Sequence, residues 1–166
     1  MATNTLITAY LEELQRETES SRKCLQGITE ETFGFKPHET SMEMRHLALL
    51  VAEIPLWLVY MIEDGELDFK TYPQYQFETS QELLTHFDNN IKKAIKALQS
   101  VDDSALDKTF TLKDAGKELY SAPLKIDIPT TLNHWVHHRG QLTVYMRMNE
   151  IKVPSIYGPS GDEQNF

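Results

Sequence analysis

Four stretches of the chain repeat apolar residues at helical spacing, and polar, proline- or glycine-bearing segments separate them. From about Asn4 to Gly27, Leu6, Tyr10, Leu14, Ser21 and Leu25 form a broad stripe with Ile7, Leu11 and Ile28 beside it. That pattern predicts a first helix, with Gly27 as its stop. A loop from Thr29 to Glu39 carries Phe33, Phe35 and Pro37. Thr40-Ser41-Met42-Glu43 has the form of a capping box and predicts a second helix. This helix runs to about Asp64, bends at Pro55 and leaves through a left-handed Gly65. A loop of about 14 residues, Gly65 to Glu78, follows. Thr79-Ser80-Gln81-Glu82 is a second capping box, opening a third helix with Leu83, Leu84, Phe87, Ile91, Ile95 and Leu98 on one face. Between Ser100 and Lys125, Lys108–Lys113 and Glu118–Ala122 suit a short hairpin around Asp114-Ala115-Gly116. Asp127 is the candidate N-cap of a fourth helix, with Pro129 in its first turn. That helix ends near Asn149, and the segment from Pro154 through Tyr157-Gly158-Pro159-Ser160-Gly161 is irregular. The fold class expected is all-α: a four-helix bundle, with the hairpin as an addition before the last helix.

Composition narrows the picture. The 166 residues suit one domain, 1–166, able to bury a core without covalent staples. A net charge of −9 argues against nucleic-acid binding, which needs basic clusters. Lys92, Lys93 and Lys96 read as a solvated helix face. One cysteine, Cys24, excludes an intrachain disulfide and suits a reducing cytoplasm. Residues Met1–Leu14 lack the basic and apolar regions of a signal peptide. The most apolar run, Leu47–Ile62, contains Glu53 and Pro55 and is shorter than the roughly 20 residues of a membrane span. It reads as a buried helix.

The candidate chemistry lies on the fourth helix. His134, His138, Gln141 and Tyr145 fall at i, i+4, i+7 and i+11, so they share one side. Leu132, Trp135, Val136, Leu142 and Met146 flank that side, which places the polar strip next to the core. Imidazoles there need partners: a metal, a hydrogen-bond network or a solvent cleft. On the second helix His46, Glu53 and Trp57 also share a side, with Leu50 between them. His46 is the candidate third metal ligand beside His134 and His138. Glu53 would orient a ligand or move a proton, or else cap a buried polar network or pair with Arg139. His38 and His86 have no visible partners and read as exposed, and His137, about 100° around the helix from His138, reads as neither ligand nor partner.

Three blocks carry a resemblance to a known family. They are Phe35-Lys36-Pro37-His38-Glu39 through Ser41-Met42 to Val51-Ala52-Glu53-Ile54-Pro55-Leu56-Trp57; Asn133-His134 to His138-Arg139-Gly140-Gln141-Leu142 with Tyr145-Met146-Arg147; and Pro154-Ser155-Ile156-Tyr157-Gly158-Pro159-Ser160. The chain resembles the DinB/YfiT-like superfamily over most of its length. The resemblance implies an up-down-down-up four-helix bundle, often homodimeric, with zinc or nickel held by three histidines. It also implies a small-molecule substrate, for example a low-molecular-weight thiol in S-transfer, or a hydrolase activity. Arg139, Gln141, Tyr145 and Glu53 are then the candidate substrate-handling residues. In the same register the second-helix metal histidine falls at Leu50, one turn after His46. The family's site is therefore either rebuilt with His46 or lost, leaving a metal-free small-molecule-binding or interaction protein.

Overall fold

The computed structural model describes residues 5–164 and contains four long helices: α1 (Leu6–Gln26), α2 (Met44–Val59), α3 (Ser80–Gln99) and α4 (Leu124–Met148). Three short strands, β1 (Glu66–Asp68), β2 (Thr109–Asp114) and β3 (Lys117–Pro123), form one sheet in the order β1-β2-β3. The molecule is thus mostly helical with a small sheet, rather than all-α. The β2–β3 hairpin falls where the sequence predicts it. Its two-residue turn has Ala115 at φ 50° and Gly116 at φ 79°, the paired positive angles of a type I′ turn. Strand β1 is a correction to the expected loop. At three residues it is too short to show an alternating pattern, and it pairs parallel to β2. Asp68 at its end accepts from the N–H groups of Ala115 (2.9 Å) and Gly116 (2.7 Å), which ties β1 to the hairpin turn.

Asn4, the expected start of α1, lies outside the described residues, and Thr5 is the N-cap. The buried face of α1 is Ile7, Leu14, Glu17, Ser21, Cys24 and Leu25, whereas Leu6 is 53% exposed. Gly27 ends α1 in a right-handed conformation, so packing explains the glycine: a Cβ there would lie 3.2 Å from both Ile151 and Met146. The capping box at Thr79 forms as predicted, with Glu82 and Thr79 bonding reciprocally. The one at Thr40 does not. Helix α2 begins at Met44 without a side-chain cap, because the N–H groups of Met44 and Arg45 bond the loop carbonyls of Phe35 and Phe33.

Pro55 sits inside α2, where it removes the N–H that would bond the Val51 carbonyl four residues back. The indole N–H of Trp135 on α4 takes its place, at 2.8 Å and fully buried. Next to it, Asn90 on α3 donates to the Ala52 carbonyl at 3.0 Å. The proline therefore opens α2 to a clasp from both neighbouring helices. Beyond Val59 the helix widens into a π turn, Tyr60–Asp64, closed by Gly65 at φ 71° as expected. Helix and π turn together span 21 residues with mean hydropathy 1.5, long and apolar enough to cross a membrane by those measures. This corrects the shorter estimate from Leu47–Ile62. Half of that stretch is buried against α3 and α4 in the common core, which accounts for its apolar character.

Helix α4 begins at Leu124, earlier than the Asp127 cap predicted for it. Strand β3 runs straight into it through Pro123, and the Leu124 N–H bonds the Lys108 carbonyl. Asp127 is consequently inside the helix and buried, and Pro129 lies beyond its first turn. The end of α1, the starts of α2 and α3, and the end of α4 meet at one end of the molecule. There Ser80 Oγ donates to the Ile28 carbonyl (2.7 Å) and Tyr145 Oη to the Met42 carbonyl (3.2 Å).

Candidate functional site

His134 and His138 project from one face of α4 towards α2. Their Nε2 atoms are 2.7 Å apart, and His138 Nδ1 is 2.8 Å from Gln141 Oε1. A carbonyl oxygen only accepts, so His138 carries its proton on Nδ1 and accepts at Nε2. His134 must then donate from Nε2. Burial pushes both imidazoles below the ordinary histidine value. At His134 the neighbouring His138 and His137 lower it further; at His138 the bond to Gln141 opposes burial, while His137 and His46 reinforce it. Both rings are accordingly neutral at pH 7, one a donor and one an acceptor.

Two nitrogens bound to one tetrahedral metal stand roughly 3.4 Å apart for bonds of about 2.1 Å. The observed contact is a hydrogen bond. Among the described residues no third His, Cys, Asp or Glu joins the pair in a metal-binding group. His46 is exposed on α2 and lines a shallow groove with Leu49, Tyr75 and Phe77, though it lies near enough to His138 to disfavour that ring's protonation. Leu50 is partly buried against the core. As arranged, the residues make a hydrogen-bonded pair and not a three-histidine set.

His134 of the pair faces a cavity of about 250 Å³ between α2, α4 and the sheet, lined also by Trp57, Met61, Phe110, Tyr120 and Asp127 among others. Trp57 and His134 face each other with ring centres 5.4 Å apart. Asp127 is 4% exposed, and its Oδ1 accepts from Tyr120 Oη at 3.0 Å. Burial raises its carboxyl above the usual range, and the bond from Tyr120 only partly offsets this. Asp127, Thr131, His134, His138 and Gln141 thus continue one polar stripe along α4.

Other predicted site residues go elsewhere. Glu53 does not meet Arg139. It bonds His86 at 3.2 Å, and His86 stacks on Tyr75 with ring centres 3.6 Å apart. His86 is therefore a partnered side chain and not an exposed one. Its clue in the sequence was its place between Leu83 and Asn90, both buried, on the inner half of α3. Arg139 is buried between α4 and α1, pairing with Glu17 at 2.6 Å, and Tyr157 Oη bonds both. Tyr145 packs edge-on against Phe35 and anchors the start of α2. His38 is exposed and bonds Thr40; His137 is exposed beside His138.

A family model described as the DinB family matches residues 1–165. The chain belongs to the DinB family. Among its relatives in this family are two from Bacillus subtilis (strain 168). The uncharacterised protein YjoA is 24% identical over 153 residues, covering 91% of this chain and 94% of YjoA. The uncharacterised protein YrdA is 24% identical over 158 residues, covering 93% and 89%. The DinB fold is also seen directly. The crystal structure of the DinB-like protein YjoA superposes with a TM-score of 0.71 at 19% identity, covering 95% of this chain and 99% of that one. A DinB-like protein from Bacillus cereus gives 0.65 at 25% identity, covering 89% and 95%.

Proposed function

We propose that this DinB-family protein binds a small molecule in the cleft beside His134 and His138, with the two imidazoles acting as a neutral donor–acceptor pair. The observation that carries this reading is their 2.7 Å contact, oriented by Gln141, with Leu50 where the family resemblance places a third histidine. A pair held this way is neutral without a metal, its proton already shared between the rings and with Gln141, and it offers a bound molecule the remaining His134 Nδ1 lone pair as an acceptor. The test is metal content and zinc response of protein purified without nickel resin. Less than about a tenth of an equivalent, and no zinc-induced rise in melting temperature, is the expected result. Stoichiometric zinc or nickel, with anomalous density between the two rings, overturns it.

A second reading has a specific observation in its favour. Gln141 fixes His138 so that both Nε2 atoms converge, the second-shell arrangement typical of metal-bound histidines, and His46 is near. In that reading the chain is a metal-dependent S-transferase or hydrolase, and His46 completes the ligand set after moving inward. The metal would supply Lewis acidity to a thiol or water, and Gln141 would hold His138 in the coordinating tautomer.

Three further features belong to the proposal under either reading. The up-down-down-up helix order is supported by the four helix ends that meet near Ile28, Met42 and Met146. Homodimerisation is supported by Ile126, Val144 and Met148 on α4, each more than half exposed. A cytoplasmic location is supported by the lone, buried Cys24.

A further inference from the structure

Asp127 is out of keeping with the cavity wall that contains it. The residue is 96% buried, and Tyr120 satisfies Oδ1, but Oδ2 is buried with no hydrogen-bond partner among the described residues. A buried carboxylate oxygen left unpaired costs more than most single contacts return, so such an atom calls for a donor. The surroundings specify what kind. Four aromatic side chains, Trp57, Phe69, Phe110 and Tyr120, line the same cavity, and aromatic faces attract cations. Among the described residues Thr131 donates only to the Met61 sulfur at 3.7 Å, a weak acceptor. A ligand carboxylate or phosphate would meet Asp127 as a like charge. The net charge of −9 favours a positive molecule again. His134 stands seven residues further along α4, roughly 10 Å up the axis. This spacing sets the length of molecule that spans both polar ends of the cavity.

We propose that the cavity between α2, α4 and the sheet binds a small protonated organic amine, its ammonium on Asp127 and its apolar body against Trp57, Phe69 and Phe110. This rests on the reading that the cleft beside the histidine pair takes a small molecule, and it names the class. The body reaches towards His134, whose neutral ring accommodates an apolar or weakly polar end.

The test is a titration of the full chain, in buffer containing EDTA, with 2-phenylethylamine, 2-phenylethanol and 3-phenylpropionate. Binding is read by calorimetry and by tryptophan fluorescence, since Trp57 lines the cavity. The amine is expected to bind about tenfold or more tightly than the alcohol, from one charge-assisted bond, and the acid not at all. Asp127→Asn is expected to bring the amine down to the level of the alcohol while leaving the alcohol unchanged. Equal affinities for amine and alcohol, or undiminished amine affinity in Asp127→Asn, sink the amine assignment but leave small-molecule binding standing. Failure of all three to bind at millimolar concentration overturns both. The ligand series in the unsubstituted protein decides the matter even if the variant does not fold, which a thermal melt followed by circular dichroism reveals.

Discussion

Single residues set the charge state of the site. His134 and His138 are held below the value of about 6.5 that they have in an unfolded chain. As pH falls through that value, the unfolded chain takes up protons that the folded one refuses. Stability is then complete above about pH 6.5 and declines below it. The melting temperature is expected to drop between pH 7 and pH 5, and the drop to shrink in His134→Gln; an identical pH profile would count against the buried neutral pair. Asp127 has the opposite sense. Its carboxyl is raised, so ionisation weighs on the fold, and the stability it allows is present below the unfolded value and lost as pH rises through the folded one. Asp127→Asn keeps an acceptor for Tyr120 and removes the charge. It is expected to melt higher than the natural protein at pH 7, with the gain gone below about pH 4. A lower melting temperature at pH 7 would refute this. Cys24, fully buried and pushed up to about 11, is expected to ignore thiol reagents until the chain unfolds. The histidine pair was legible in the sequence because its two members sit on one helical face. The Glu53–His86 contact was not, since it joins residues 33 apart on different helices and no local periodicity encodes which faces meet.

At the level of elements, the hinge of the fold is the missing N–H of Pro55. Trp135→Phe leaves the Val51 carbonyl buried and unpaired, which should cost about 1–3 kcal/mol. Pro55→Ala supplies an alternative donor to that carbonyl, so Trp135→Phe should cost less in a Pro55→Ala background. A double-mutant cycle by urea denaturation is expected to show coupling of about 1 kcal/mol; additive losses would refute the clasp. The hairpin turn gives a test of opposite sign. Ala115 stands at φ 50°, where a side chain is strained by roughly 1–2 kcal/mol. Ala115→Asn creates the Asn-Gly pair that type I′ turns favour and is expected to raise the melting temperature by a few degrees. Helix existence and the hairpin were readable because their patterns run over many residues. Helix starts were readable only where the cap is local, as at Thr79. At Met44 and Leu124 the chain begins its helix on bonds to distant backbone, and a polar residue nearby misleads.

Over the whole molecule, Arg139 and Glu17, both buried, form an ion pair that joins α4 to α1. Arg139→Met strands the Glu17 carboxylate and is expected to cost about 3–5 kcal/mol, lowering the melting temperature by roughly 10 °C or more. A loss of only a degree or two by calorimetry would show that the pair is dispensable. The same pair bears on how the chain comes into being. Glu17 is translated 122 residues before Arg139, and Tyr157, which bonds both, later still. At roughly 5–20 residues per second the nascent chain carries an unmatched carboxylate for several seconds or more. Helix α1 can already pack against α3 by then, but its tie to α4 waits for Arg139, and Tyr157 in the irregular segment is the latch that completes it.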